Sequence, residues 1–129
     1  MAIRILIVDD SALFRRGIRG MLETNLDWEV CGEAVDGLDG IAKTRLLTPD
    51  LIIMDLSMPR MAGIEATSRI LKEFPNVPIV MLALYVTRQL VEAAQNVGIR
   101  ATVAKTAMHD LIDGVDALLR GECFTAPVI

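Results

Sequence analysis

Apolar and polar positions along the chain follow two different periods, which together predict five strands and five helices. The predicted strands are short runs rich in aliphatic and β-branched residues, at 3–8, 28–34, 51–55, 78–82 and 101–104. Between them, apolar residues recur every three or four positions, a spacing typical of amphipathic helices. Turn signals such as Thr48-Pro49-Asp50 and Pro75 separate the two kinds of segment.

The alternation of strands and helices predicts an α/β fold with a parallel sheet. The strands are apolar on both faces, so helices must cover both sides of the sheet. We therefore expect a flavodoxin-like, doubly wound (βα)5 three-layer sandwich with the strand order 2-1-3-4-5. In such a sheet the ligand site lies beyond the carboxyl ends of strands 1 and 3, where the strand order reverses.

Three aspartates and a lysine follow the predicted strands at that edge. Asp9 and Asp10 end strand 1, Asp55 ends strand 3 and Lys105 follows strand 5. Alone, Asp55 could be a turn cap and Lys105 a solvated charge, but carboxylates held close together repel one another. A hard divalent cation such as Mg²⁺ or Mn²⁺ removes that cost, and a carboxylate beside it is a suitable nucleophile toward phosphoryl groups. The pattern therefore favours metal-dependent phosphoryl transfer to an aspartate.

The composition of the chain narrows the number of domains, the kinds of ligand and the cellular compartment that we expect. The 129 residues are 53% hydrophobic but only 4% aromatic, which indicates one domain with an aliphatic core. A net charge of -4 argues against this domain binding nucleic acid through its charge. Cys31 and Cys123 show neither metal-ligand spacing nor a disulfide framework, which favours a cytoplasmic protein. The longest apolar run is far shorter than the roughly 20 residues of a membrane span.

Four segments resemble the receiver domains of two-component response regulators, and together they extend over essentially the whole chain. They are Asp9-Asp10, the run at 34–37 (AVDG), the run at 55–63 (DLSMPRMAG), and Lys105. The tail at 118–124 (LLRGECF) and the pair Lys105-Thr106 are similar to the N-terminal receiver of LuxR/FixJ-type regulators, which carry a helix-turn-helix domain.

The resemblance implies a role for each residue of the predicted site. Asp55 would accept phosphate from the phosphohistidine of a sensor histidine kinase, and Lys105 would pair with the phosphoryl group. Asp9 and Asp10 would hold Mg²⁺, with Asp10 the more direct ligand, together with Asp55 and the backbone carbonyl of Ser57. Because the domain acts only on itself, by gaining and losing phosphate, we do not expect an enzyme.

The resemblance also implies a domain boundary and partners. Residues 1–121 are expected to form the receiver, and 122–129 to begin a linker to a DNA-binding domain that follows Ile129. Expected partners are the kinase, a second copy of the protein on activation, and DNA only through that further domain, with transcription as the output. Three arginines on helix 1 are either a solvated face or a kinase-docking patch: Arg15, Arg16 and Arg19.

Two positions depart from the family pattern. Ala83 stands where the family usually has Thr or Ser, and its side chain cannot hydrogen-bond a phosphoryl oxygen. Thr102 stands where strand 5 usually has Tyr or Phe, the aromatic residue that swings inward behind the moving hydroxyl. We therefore expect phosphorylation to change the face formed by helix 4 and strand 5 less than it does in typical members.

Two other classes of function remain open. A haloacid-dehalogenase-type phosphatase also uses a strand-terminal aspartate nucleophile and Mg²⁺. That family has an acid/base aspartate two residues later, where this chain has Ser57. A receiver-like interaction module that works without phosphorylation is the second class, and Ala83 and Thr102 favour it.

Overall fold

A computed structural model describes residues 2–128 of the chain. Met1 and Ile129, the outer ends of the predicted ranges 1–121 and 122–129, lie outside the described residues. The strands are β1 (Ile3–Val8), β2 (Trp28–Ala34), β3 (Leu51–Asp55), β4 (Ile79–Ala83), β5 (Ala101–Ala104) and β6 (Phe124–Thr125). The helices are α1 (Ala12–Leu22), α2 (Gly37–Leu47), α3 (Gly63–Glu73), α4 (Arg88–Asn96) and α5 (Leu111–Leu119).

All strands run parallel in one sheet of order β2-β1-β3-β4-β5-β6, which confirms the predicted α/β fold and adds a sixth strand at its edge. Strand β4 begins at Ile79, one residue later than predicted. Pro78 has no N–H to donate to the ladder, although its carbonyl accepts a hydrogen bond from the Ile52 amide at 3.0 Å. The order still reverses at β1 and β3, so their carboxyl ends border the switch point.

The core consists of two apolar layers, one on each face of the sheet. Alternate strand residues point to opposite faces, so neighbours such as Ile52 and Ile53 lie in different layers. One layer packs the sheet against α1 and α5, with Ile18 and Leu118 among its buried residues. Burial on both faces explains why β3, β4 and β5 are almost uniformly apolar, whereas the edge strand β2 is only partly buried and includes Glu29 and Glu33.

The chain after β5 differs from the predicted single helix. Residues Lys105–Asp110 form a 3₁₀ helix, interrupted by a non-helical backbone at Ala107, and α5 begins only at Leu111. Lys105 is therefore the first residue after β5, directly at the carboxyl edge of the sheet. No helix among residues 2–128 has the length and hydropathy that crossing a membrane requires.

Strand β6 lies in the segment that was predicted to begin a linker. The Phe124 amide donates to the Arg100 carbonyl, and the Ala126 amide donates to the Thr102 carbonyl, each at 2.9 Å. Ala126 is only 2% exposed and packs with Val86 and Ala104. The residues after α5 thus return to the sheet and cover the edge of β5.

Candidate functional site

Three carboxylates converge at the carboxyl edge of the sheet, as the sequence predicted. Oxygen atoms of Asp9, Asp10 and Asp55 all lie within 4.8 Å of one another. Asp9 is 0% and Asp55 is 2% exposed, whereas Asp10 is open to solvent. The loop after β1 and the end of β3 bring them together because these strands are neighbours in the sheet.

Lys105 completes the cluster. Its Nζ atom lies 3.0 Å from Asp9 Oδ2 and 3.1 Å from Asp55 Oδ1. The same ammonium group stands 4.4 Å from the centroid of the Phe14 ring, a cation–π contact that limits its freedom. The helical pattern identified Phe14 only as an apolar residue of α1, and no spacing in the sequence indicated its contact with Lys105.

Burial and charge shift the titration of Asp55 and Lys105. Burial raises the pKa of Asp55 and the nearby charge of Asp9 adds to this, while the hydrogen bond from Lys105 opposes it. Burial disfavours the charged form of Lys105, but its hydrogen bonds to Asp9 and Asp55 outweigh that effect and raise its pKa. The lysine is therefore a fixed cation beside a carboxylate whose negative charge is poorly solvated.

The two aspartates after β1 have different surroundings. Asp9 Oδ1 accepts a hydrogen bond from the Ser11 amide at 2.9 Å, and its Oδ2 accepts from Lys105. Its backbone carbonyl accepts from Arg15 Nη1 at 2.7 Å. Asp9 is thus fixed in place by its contacts, whereas Asp10 faces the solvent side of the cluster.

A cleft of about 220 Å³ opens above Asp55. It is lined by Asp10, Asp55, Leu56, Ser57, Ala83, Leu84 and Lys105. Ala83 contributes a methyl group where a hydroxyl would have reached the cleft. Thr102 does not line the cleft; it is buried in β5, and its backbone pairs with β6.

The donor set fits a hard divalent cation. One ammonium group faces three carboxylates, so negative charge is in excess, and every side-chain donor to a cation is an oxygen. Mg²⁺ and Mn²⁺ prefer carboxylate and carbonyl oxygens. Asp9, Asp10 and Asp55, with the carbonyl of Ser57, are the residues that would hold such an ion.

Three further ion pairs near the site were not predicted from the sequence. Arg60, in the loop between β3 and α3, donates from Nε to Asp36 Oδ2 at 2.7 Å. The partners are 24 residues apart and no periodicity connects them. Arg15 and Arg19 both pair with Glu33 of β2, at 2.8 and 2.6 Å, so two of the three helix-1 arginines are engaged within the fold.

The fold and the site together define a doubly wound α/β domain with an acidic, lysine-paired cluster at its switch point. The chain belongs to the response regulator receiver domain family, whose family model matches residues 5–116. It is a receiver domain of the two-component response regulators, and a LuxR-family regulator is among its relatives. The predicted family is thereby confirmed.

The relatives show how far this similarity extends. The response regulator protein VraR of Staphylococcus aureus is 39% identical over 130 residues, and the chain spans 62% of its length. A LuxR-family response regulator from Aurantimonas sp. SI85-9A1 is 29% identical with a TM-score of 0.94, covering 98% of this chain and 91% of that one. The receiver domain of RcsB from Salmonella enterica serovar Typhimurium, solved with the phosphomimetic BeF3-, is 30% identical with a TM-score of 0.89, covering 98% and 94%.

Proposed function

We propose that this receiver accepts a phosphoryl group on Asp55 from the phosphohistidine of a sensor histidine kinase, in a reaction that depends on Mg²⁺ or Mn²⁺. The observation that supports this best is the position of Asp55. It ends β3 at the switch point, borders an open cleft and lies 3.1 Å from Lys105 within a cluster of three carboxylates. Each of these features serves phosphoryl transfer, which depends chiefly on positioning and charge neutralisation.

In the proposed step a carboxylate oxygen of Asp55 attacks phosphorus in line with the phosphorus–nitrogen bond. The new phosphorus–oxygen bond forms as the old bond breaks, and the imidazole leaves with the bonding electrons and takes up a proton from solvent. Lys105 turns its ammonium group from the two carboxylates toward a phosphoryl oxygen. Asp9, Asp10 and Asp55 would hold a divalent cation, which when bound would supply positive charge to offset the negative charge of the phosphoryl group.

The domain would then control an output and would not turn over an external substrate. We propose transcription as that output, exerted by a C-terminal DNA-binding domain, with a second copy of the protein as a partner in the active state. Two findings on relatives support this: the LuxR-type relatives, and RcsB dimers solved on two parallel DNAs. The proposed setting is the cytoplasm.

A receiver-like interaction module that works without phosphate is the second candidate. Ala83 favours it, because the cleft lacks the hydroxyl that would bond a phosphoryl oxygen. Thr102 favours it as well, because it is buried at 3% exposure. Its side chain is too small to replace the aromatic residue that usually swings inward at this position when the acceptor aspartate is phosphorylated.

Treatment with phosphoramidate and Mg²⁺, followed by intact-mass measurement, separates the two candidates. We expect one added phosphoryl group in the wild type, none in Asp55→Asn, and full labelling in the control Asp27→Asn, whose side chain is exposed in the α1–β2 loop. A wild type that takes no label would favour the interaction module. Label that survives in Asp55→Asn would place the nucleophile elsewhere.

A further inference from the structure

The loop between β3 and α3 contains a strained residue. Arg60 has φ = 66°, in the left-handed region that residues other than glycine rarely occupy. Outliers of this kind persist only where the surrounding structure holds them, and they concentrate at functional sites. The loop also includes Ser57, whose backbone carbonyl is a proposed cation ligand, three residues before Arg60.

The Arg60 side chain, although 60% exposed, forms an ion pair that connects it to α2. It pairs with Asp36, which is 4% exposed and begins α2 as its N-cap. Asp36 uses its two oxygens differently: Oδ1 accepts from the Asp39 amide at 2.8 Å, and Oδ2 accepts from Arg60 Nε at 2.7 Å. The ion pair thus connects the site loop to a helix end that is itself well fixed.

Packing fixes the same loop on both sides of Ser57. A Cβ atom at Gly37 would lie 2.6 Å from the Met61 carbonyl oxygen, so the loop rests directly on the start of α2. A Cβ atom at Gly63 would lie 2.2 Å from the Asp55 carbonyl oxygen, and the Gly63 amide donates to the Leu56 carbonyl at 2.9 Å. With both ends of the loop in contact, the peptides between them, which include Ser57 and Arg60, are the part of the loop that a side-chain contact can still position.

We propose that Arg60 is a positioning residue for the cation site: through Asp36 it holds residues 56–62 so that the Ser57 carbonyl faces Asp10 and Asp55. This inference rests on the proposed function, because it assigns the loop a role in binding Mg²⁺. A second pocket, beside the cleft above Asp55, is lined by Asp10, Ser57 and Pro59, which places the loop against the exposed carboxylate. Without the ion pair, the left-handed backbone at position 60 loses its only charged anchor among the described residues.

The test is Mg²⁺ binding by isothermal titration calorimetry to the wild type and three variants. Arg60→Gly keeps the left-handed conformation accessible but removes the ion pair. Asp36→Asn keeps an acceptor for the Asp39 amide but removes the charge. Arg45→Gln disrupts an exposed pair with Glu73, away from the site loop, and serves as the control.

We expect Arg60→Gly and Asp36→Asn each to weaken Mg²⁺ binding by about tenfold, as for other residues that orient metal ligands. The double variant should be little weaker than either single one, because the two residues act as one pair. In the metal-free protein, hydrogen exchange at the Met61 and Gly63 amides should quicken in Arg60→Gly. Arg45→Gln should match the wild type in both measurements.

Wild-type affinity in Arg60→Gly would overturn the positioning role and leave the proposed function intact. So would a variant that melts at a lower temperature yet binds Mg²⁺ as the wild type does, since that indicates a purely structural pair. A wild type that binds no Mg²⁺ would overturn the proposed metal dependence and the positioning role together.

Discussion

Asp55 holds a negative charge where burial and the carboxylate of Asp9 both oppose it, and these effects raise its pKa above the ordinary value of 3.8. A group whose pKa is raised by folding stabilises the fold at low pH, and that stabilisation is lost as the pH rises through the folded-state pKa. We predict that metal-free Asp55→Asn melts at a higher temperature than the wild type at neutral pH. The difference should vanish as the pH falls to about 4.

Thermal melts across this pH range, with Asp27→Asn as the exposed control, measure the effect. Asp27→Asn should follow the wild type at every pH, because its side chain is exposed in the α1–β2 loop. A melting temperature of Asp55→Asn at or below that of the wild type at neutral pH would show that Lys105 compensates the charge fully.

Thr67 is a second residue whose surroundings lower the stability of the fold. It is fully buried on α3, and its hydroxyl has no hydrogen-bond partner among the described residues. Thr44 is equally buried on α2, but its hydroxyl donates to the Gly40 carbonyl at 2.7 Å. Because an unpaired buried hydroxyl is costly, Thr67→Val should raise the free energy of unfolding by about 1 kcal/mol. Thr44→Val should not, and urea denaturation that ranks the two variants the other way would contradict this account.

At the scale of elements, we expect phosphorylation of Asp55 to act less strongly on β4 and β5 than in typical receivers. A hydrogen bond from a hydroxyl at position 83 to a phosphoryl oxygen would contribute roughly 1.5–3 kcal/mol, and Ala83 cannot form it. A modification shifts a two-state equilibrium only by its differential interaction with the two states. If Asp55 is phosphorylated, we therefore expect the equilibrium toward an active conformation to be weaker by about tenfold or more than it would be with that bond.

We predict that beryllofluoride with Mg²⁺ causes small amide shifts in α4 and β5 of the wild type, and larger ones in Ala83→Thr. Backbone NMR measures this directly, and Asp55→Asn controls for shifts that do not arise from the acceptor. Large wild-type shifts that extend through Ala83 to Thr102 would show that the switch works without the hydroxyl.

The five βα units could be predicted because most strands, such as β3 and β4, are apolar runs and most helices have a clear period. Strand β2, with Glu29 and Glu33, and helix α2 carry a weaker pattern and were placed by the turns around them. The 3₁₀ helix at Lys105–Asp110 could not be predicted, because its residues continue the apolar spacing of α5 and the break at Ala107 lies in the backbone. Strand β6 has two residues, too few for any period, and depends on pairing with β5. The acidic cluster followed from topology, since Asp9, Asp10 and Asp55 end neighbouring strands, whereas the pair Arg60–Asp36 depends on loop geometry that no spacing encodes.

At the scale of the whole molecule, we expect the acidic cluster to link binding of a divalent cation to folding stability. A ligand that binds only the folded state stabilises it by ~2.7 kcal/mol at a hundredfold excess over its dissociation constant. We predict that millimolar Mg²⁺ raises the melting temperature of the wild type and raises that of Asp10→Asn much less. Asp27→Asn should respond as the wild type does. Coincident wild-type melts with and without Mg²⁺ would argue against a cation site.

Strand β6, which returns to the sheet after α5, affects whether two molecules of this protein can pair through the edge of β5. Without β6, the apolar run Ala101–Ala104 would form an open edge whose amides and carbonyls could template a strand from a neighbouring chain. Strand β6 covers that edge with only two residues, and Pro127 follows Ala126 with no N–H to extend the pairing. The returning segment thereby shields the β5 edge of the sheet from pairing of this kind, while β2 forms the opposite edge.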